Sequence, residues 1–191
     1  APVLPDSPFA TACADAVIDS LGGRTWLLTD GFADPLLVVR ARARGIDLVA
    51  LPLRRGDAAV VAAFESAAAT LGDSRLEAAA ALGAAPFVLT WMQRHQEDAA
   101  AKLALMVEPS LAKAVGFEPV PAGLVYHLYQ PDALDSNTLA RIYVHQSSLR
   151  DVFGETIALA PTDAESAAYA KWFRAQASAC GNNLGVLLYA A

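Results

Sequence analysis

Charged and hydroxyl side chains follow the apolar segments of this sequence that we interpret as β-strands. Ligand crevices of open parallel sheets lie beyond the carboxyl ends of the strands, so we expect these side chains to share one edge. The candidate ligand-binding crevice consists of Asp30, Gly31, Asp34, Arg54, Glu108 and Ser110. A helix beginning near Asp34 could bind an anion at its N-terminus, with Arg54 assisting. Asp30 and Glu108 could instead form the carboxylate pair that general acid–base chemistry needs.

Asp30 and Asp34 also suit a purely structural role, which we favour. Both can turn the chain or cap a helix, and two carboxylates would repel a phosphate. Gly31 is the only glycine directly after the first strand, so the Gly-x-Gly-x-x-Gly fingerprint of dinucleotide sites is missing. We therefore predict no cofactor.

Other short motifs that would identify a reaction are also missing from the sequence. It contains neither the Gly-x-x-x-x-Gly-Lys-[Ser/Thr] phosphate loop nor a Gly-x-Ser-x-Gly nucleophile elbow. His95, His127 and His145 fall in different predicted elements, and none has a second ligand at metal spacing. We assign no catalytic residue and expect no metal site.

Buried strands that alternate with helical segments predict the fold. Strands are expected over residues 25–29, 46–53, 102–107 and 124–129, and residues 117–121, with two prolines, are expected as an extended connection. The first strand is continuously apolar, which is typical of a strand buried on both faces. Because βαβ units are right-handed and parallel, we predict an α/β fold: a Rossmann-like three-layer sandwich with a mostly parallel sheet of about four strands, ordered 2-1-3-4, and extra C-terminal helices.

Composition restricts the class of partner. The net charge of −6 and a pI near 4.9 argue against nucleic acid, and no run of apolar residues is long enough for a transmembrane helix. The hydrophobic fraction of 55% fits either an alanine-rich core or an apolar surface that a neighbour covers.

Trp172 and Phe173 are the candidate interface residues, with burial in the core as the alternative. Cys13 and Cys180 could form a disulfide in an oxidising compartment, but we favour two small buried residues.

Residues near the end of the chain resemble a repeat. The string Asn182-Asn-Leu-Gly-Val-Leu-Leu-Tyr189 is similar to the first half of helix A of a tetratricopeptide repeat, whose unit spans about 34 residues. We therefore expect residues 1–160 to form the Rossmann-like domain and residues 161–191 a C-terminal helix that starts a truncated repeat.

Three phrases in the body carry a second resemblance. Residues 26–31, 83–88 and 117–121 are similar to the soluble α/β region of large bacterial multi-pass membrane proteins that continue into tetratricopeptide repeats, a group without assigned activity. The resemblance implies a periplasmic domain on the extracytoplasmic face of a membrane. It supplies no catalytic residue.

These observations support two hypotheses about function. The first is a non-catalytic assembly or binding module of a larger membrane-anchored protein. Its partners would be C-terminal repeats of its own protein, another protein or a second copy of itself. The alternative is a small-molecule or sugar-nucleotide-binding enzyme domain that uses the strand-end crevice.

Overall fold

The computed structural model describes residues 7–53, 62, 65–66, 68–107, 109–158 and 164–190. Five strands are found there: β1 (Trp26–Thr29), β2 (Val49–Pro52), β3 (Leu103–Leu105), β4 (Glu118–Ala122) and β5 (Val125–Tyr129). The helices are α1 (Pro8–Ser20), α2 (Asp34–Ala43), α3 (Ser74–Ala80), α4 (Ala84–Arg94), α5 (Gln96–Lys102), α6 (Ser110–Lys113), α7 (Ser136–Ala158) and α8 (Ala164–Ala190), with a 3-10 turn over Pro131–Ala133. The predicted α/β class is confirmed.

The strands form one mixed sheet in the order β2-β1-β3-β5-β4. β1 is parallel to β2 and β3, whereas β5 is antiparallel to both β3 and β4. The four predicted strands therefore occur in the predicted order, but the fourth, β5, runs in the opposite direction. The expectation of a mostly parallel sheet holds only around β1.

The fifth strand, β4, corrects the prediction for residues 117–121. β4 includes Pro119 and Pro121 and pairs with β5 at the edge of the sheet, where a missing ladder donor is tolerated. Two residues, Gly123 and Leu124, join β4 to β5, and so short a turn connects only antiparallel strands. This hairpin reverses β5 and inserts it between β3 and β4.

Side chains that alternate along the strands divide the interior into two cores. The first core contains Leu27 and Val125 and is covered by α1 and α2. The second core contains Leu28 and Tyr126 and is covered by α3, α4 and α5. Helices therefore pack on both faces of the sheet.

Helix α8 contacts both cores as it passes the β4–β5 hairpin. Phe173 lies in the first core and Cys180 in the second. Between them, Gln176 Nε2 donates to the carbonyl oxygen of Leu124 in the hairpin turn at 2.7 Å. Asn183 Nδ2 donates to the hydroxyl of Tyr126 at 2.7 Å. The predicted domain boundary at residues 160 and 161 lies outside the described residues and stays a prediction.

No helix in the described part of the chain combines the length and apolarity needed to cross a membrane.

Candidate functional site

Asp30 and Gly31 form a turn at the carboxyl end of β1. The exposed Asp30 accepts a hydrogen bond on Oδ1 from the backbone nitrogen of Phe32 at 2.9 Å. The backbone nitrogen of Gly31 donates to Oγ1 of Thr29 at 3.2 Å, and Gly31 has a φ of 90°. Asp30 therefore stabilises the turn after β1, which is the structural role that we favour for it.

Asp34 lies beside this turn but does not cap α2. Ala33 occupies the N-cap, and Asp34 is the first helical residue. Burial raises the pKa of the Asp34 carboxyl, a hydrogen bond with the Thr29 side chain opposes this shift, and the charge of Asp30 raises the pKa further. Its Oδ1 atom is buried and has no hydrogen-bond partner among the described residues. This acidic turn is a poor environment for an anion.

Of the other predicted crevice residues, only Ser110 is described, and it lies away from this turn. Ser110 is exposed at the start of α6 and lines a separate cavity of about 300 Å³ together with Lys113 and Glu118. Arg54 and Glu108 lie outside the described residues, and so does the predicted pair of Asp30 with Glu108.

Trp172 and Phe173, the candidate interface residues, have different environments. Phe173 is 0% exposed and packs edge-to-face on Phe9, with 6.4 Å between ring centroids. Trp172 is half-buried and lies 5.9 Å from the exposed ring of Phe32. Phe173 therefore belongs to the core, and only Trp172 of this pair reaches the surface.

A larger cavity lies on the first-core face of the β4–β5 hairpin, and we name it the Arg24 cavity. Its volume is about 540 Å³. Its lining consists of Gly22, Arg24, Val120, Ala122, His127, Tyr129, Ala133, Thr138, Arg141, Ile142 and His145.

Strand register explains the floor of this cavity. Val120 pairs directly with His127, and Glu118 pairs with Tyr129. Paired residues of antiparallel strands share a face, so Val120, His127 and Tyr129 lie on one side of the hairpin. The end of α1 and the helix α7 form the walls, since α7 contacts both α1 and β4.

Arg24 is a cation in this cavity for which the described residues provide no acidic partner. Its Nε donates to the carbonyl oxygen of Ala100 at 3.2 Å. Among the described residues no carboxylate is within ion-pair distance of it, whereas Arg40, Arg44 and Arg94 each pair with an aspartate at 2.6–2.8 Å. Burial lowers the pKa of the Arg24 guanidinium and the nearby Tyr129 raises it, but a guanidinium remains charged in proteins.

His127 is buried and neutral beside Arg24. Its Nε2 lies 2.9 Å from the carbonyl oxygen of Ser20, which can only accept, so Nε2 carries the proton. Burial first, and then the charge of Arg24, lower the pKa of His127 to about 3, and the hydrogen bond to Ser20 opposes this shift. His127 therefore adds no charge to the cavity near neutral pH.

Two further basic side chains lie at the rim, one turn apart on α7. Arg141 and His145 are exposed, and Nη2 of Arg141 donates to Oγ1 of Thr138 at 3.2 Å. Hydrogen bonds from Thr138 lower the pKa of Asp135, and the charge of Arg141 lowers it further. The charge of Arg141 therefore acts on a carboxylate, although no ion pair of Arg141 is found among the described residues.

The Arg24 cavity lies outside the predicted crevice, because Arg24 comes shortly before β1, at the end of the strand opposite to Asp30. Gly22 and Gly23 lie between the end of α1 and Arg24. The sequence signal that was available is the position of Arg24 between a glycine pair and a strand that is buried along its whole length.

Apolar side chains form a second notable surface, on α7 and the end of α8. Tyr143, Val144 and Val186 are 56%, 68% and 69% exposed. Between the helices lies the α7–α8 groove of about 400 Å³, which is lined by Gly123, Tyr143, Gln146, Ser147, Ala177, Gly181 and Leu184.

In the described part of the chain, no three His, Cys, Asp or Glu side chains lie close enough together to hold a metal ion.

Comparisons with protein-family models, with curated proteins and with solved structures found no match.

Proposed function

We propose that this chain is a non-catalytic binding module that takes up a small anionic ligand in the Arg24 cavity. The observation that carries the proposal is the half-buried guanidinium of Arg24, which faces a cavity and has no carboxylate partner among the described residues. Removing a cation from water without a counter-ion is unfavourable. A bound anion would offset that cost.

The donors around the cavity suit such a ligand. A guanidinium presents several N–H groups in a fixed fork and binds carboxylate or phosphate oxygens with two parallel hydrogen bonds. The hydroxyl group of Tyr129 lines the same cavity and can donate as well. No carboxylate that would repel an anion is among the described lining residues.

We further propose that the module belongs to a larger membrane-anchored protein and lies on the extracytoplasmic face, in a Rossmann-like arrangement. The sequence resemblance supports this location. The parallel pairing of β1 with both of its neighbours, and the helices on both faces of the sheet, support the arrangement.

Arg24→Gln tests the binding proposal, with Arg42→Gln as a matched control. Arg42 is exposed on α2 and does not line the Arg24 cavity, so both variants change the net charge equally. Titration calorimetry with phosphate, sulfate and acetate at constant ionic strength should show saturable binding to wild type and to Arg42→Gln. Binding that persists unchanged in Arg24→Gln would place the anion elsewhere.

A second candidate function is docking of a protein through the α7–α8 groove, and the exposed side chain of Tyr143, which lines the groove, favours it. A second copy of this chain is the simplest partner, because a self-complementary patch gives a closed dimer.

Sedimentation equilibrium should then detect concentration-dependent dimers that Tyr143→Glu abolishes. Leu82→Glu is the control, because Leu82 is 69% exposed and does not line the groove. A wild-type monomer at every concentration would refute self-docking.

A further inference from the structure

The lining of the Arg24 cavity is divided between a polar and an apolar side. A Cβ atom placed on Gly22 would lie 3.6 Å from Nη1 of Arg24 and 3.6 Å from Nε2 of His127, so these two groups meet at Gly22. The apolar side chains of Val120 and Ala122 belong to β4, one strand further out than His127. A ligand in this cavity therefore meets the charge of Arg24 beside Gly22 and hydrocarbon along β4, with Arg141 and His145 at the rim.

One residue of α7 and one residue of the 3-10 turn add to the apolar lining, whereas Thr138, Arg141 and His145 of α7 are polar. Ile142 is half-buried and lines the cavity, and the 3-10 turn contributes Ala133. Water in contact with such a surface is released when an apolar group replaces it, which is favourable by burial of apolar area.

The volume also exceeds what a bare inorganic anion needs. Sites for drug-sized organic ligands measure about 300–1,000 Å³ and are mostly apolar, with a few polar groups that orient the ligand. The Arg24 cavity, at about 540 Å³, lies within that range.

We infer that the ligand of the Arg24 cavity is an amphiphilic organic acid. Its carboxylate or other anionic head contacts Arg24, and its hydrocarbon body lies against Val120, Ala122 and Ile142. This inference rests on the proposed anion-binding function and adds the class of ligand to it. Arg141 is a weaker position for the head, because its side chain is exposed at the rim, where solvent weakens its interaction with an anion.

A series of straight-chain carboxylates tests the ligand class. Acetate, butanoate, hexanoate and octanoate are titrated into the whole chain by calorimetry at pH 7 and constant ionic strength, below micelle-forming concentrations. Inorganic phosphate tests an anion that has no hydrocarbon chain, and 1-octanol tests a hydrocarbon chain that has no charge. The affinity should rise about fourfold per added methylene until the apolar side is covered.

Two variants separate the contributions of head and body. Arg24→Gln should lower the affinity for every carboxylate, whereas Arg42→Gln should not. Ile142→Ala should lower octanoate affinity by roughly five- to tenfold and leave acetate affinity unchanged, because only the longer ligand reaches this side chain. Val144→Ala is the matched control on the same helix, since Val144 does not line the cavity.

The outcomes distinguish this inference from the proposed function. Arg24-dependent binding with no increase along the series would overturn the amphiphilic ligand and leave anion binding in place. A chain-length increase that is equal in wild type and Arg24→Gln would also overturn it, because the hydrocarbon would then bind elsewhere. A complete lack of Arg24-dependent binding, to phosphate and carboxylates alike, would overturn the proposed function itself.

Discussion

Three neighbouring residues determine the character of the Arg24 cavity. Arg24 contributes a charge with no described carboxylate partner, and His127 contributes a buried ring that stays neutral at physiological pH. Gly22 makes room for both at the end of α1, because a larger residue would meet the imidazole. The chemistry of the site therefore depends on packing around one glycine as well as on the charged group.

Gly22→Ala should destabilise the protein by more than Gly23→Ala. Both glycines have positive φ, at 58° and 86°, so alanine is strained at either position by about 1–2 kcal/mol. At Gly22 the new Cβ would also lie only 2.9 Å from Cε1 of His127, whereas at Gly23 it meets nothing within 4 Å. Urea unfolding of the two variants measures the difference, and equal losses of stability would contradict the predicted clash.

His127 should make stability depend on pH in the acid range. Its pKa is about 3 in the folded protein and about 6.5 in an unfolded chain, so the unfolded state binds the extra proton between these values. The free energy of unfolding should therefore fall as the pH decreases from about 6.5 towards 3, by up to about 1.4 kcal/mol per pH unit from this group.

His127→Gln provides the comparison, because glutamine does not titrate but its amide can still donate to the carbonyl oxygen of Ser20. Urea unfolding from pH 7 to pH 4 should show a shallower decline for this variant than for wild type. Parallel declines would mean that His127 is not the group that binds the proton.

At the scale of elements, β4 and α8 are the two elements that lie outside the predicted βαβ pattern and contact the sheet. β4 closes one edge of the sheet and supplies the apolar side of the cavity. α8 holds the β4–β5 hairpin by the hydrogen bond from Gln176 to Leu124 and inserts Phe173 into the first core. The long last helix is therefore a structural part of the α/β body.

Phe173→Ala should reduce the free energy of unfolding of the whole body by about 3–5 kcal/mol, because the ring is fully buried against Phe9. Trp172→Ala is the neighbouring control and should have a smaller effect, since Trp172 is half-buried. Circular dichroism during thermal unfolding reports on both variants. An unchanged melting temperature for Phe173→Ala would indicate that α8 is not integral to the fold.

At the scale of the whole molecule, the sheet separates two cores, and each core contains one cysteine. Cys13 lies in the first core and Cys180 in the second, and both thiols are free. Burial raises the pKa of each thiol to about 12. The sequence had left a disulfide between them open, and the structure instead supports the favoured interpretation of two buried residues.

Neither thiol should react with a disulfide reagent in the native protein at pH 8, because the reactive thiolate is scarce and inaccessible. Two thiols should react after unfolding in guanidinium chloride, and one in each of Cys13→Ala and Cys180→Ala. A spectrophotometric thiol titration counts them. Fewer than two thiols in the unfolded wild type would reveal a disulfide and contradict the separation of the cores.

The sequence by itself determined the features that depend on local patterns of burial. The continuously apolar residues 25–29 indicated a central strand, and the alternation of strands with helices indicated the α/β class and the order of four strands. The Asp30–Gly31 turn was also predictable, because an aspartate followed by glycine forms its own hydrogen bonds.

Only the tertiary structure decided the direction of β5, the pairing of β4, the burial of Phe173 and the position of the Arg24 cavity. The cavity joins Arg24 to His127 and Ile142, which lie more than 100 positions later in the chain, and no local spacing relates them. Their meeting depends on strand register and on where α1 and α7 cross the hairpin. These are non-local contacts, which the pattern of neighbouring residues does not encode.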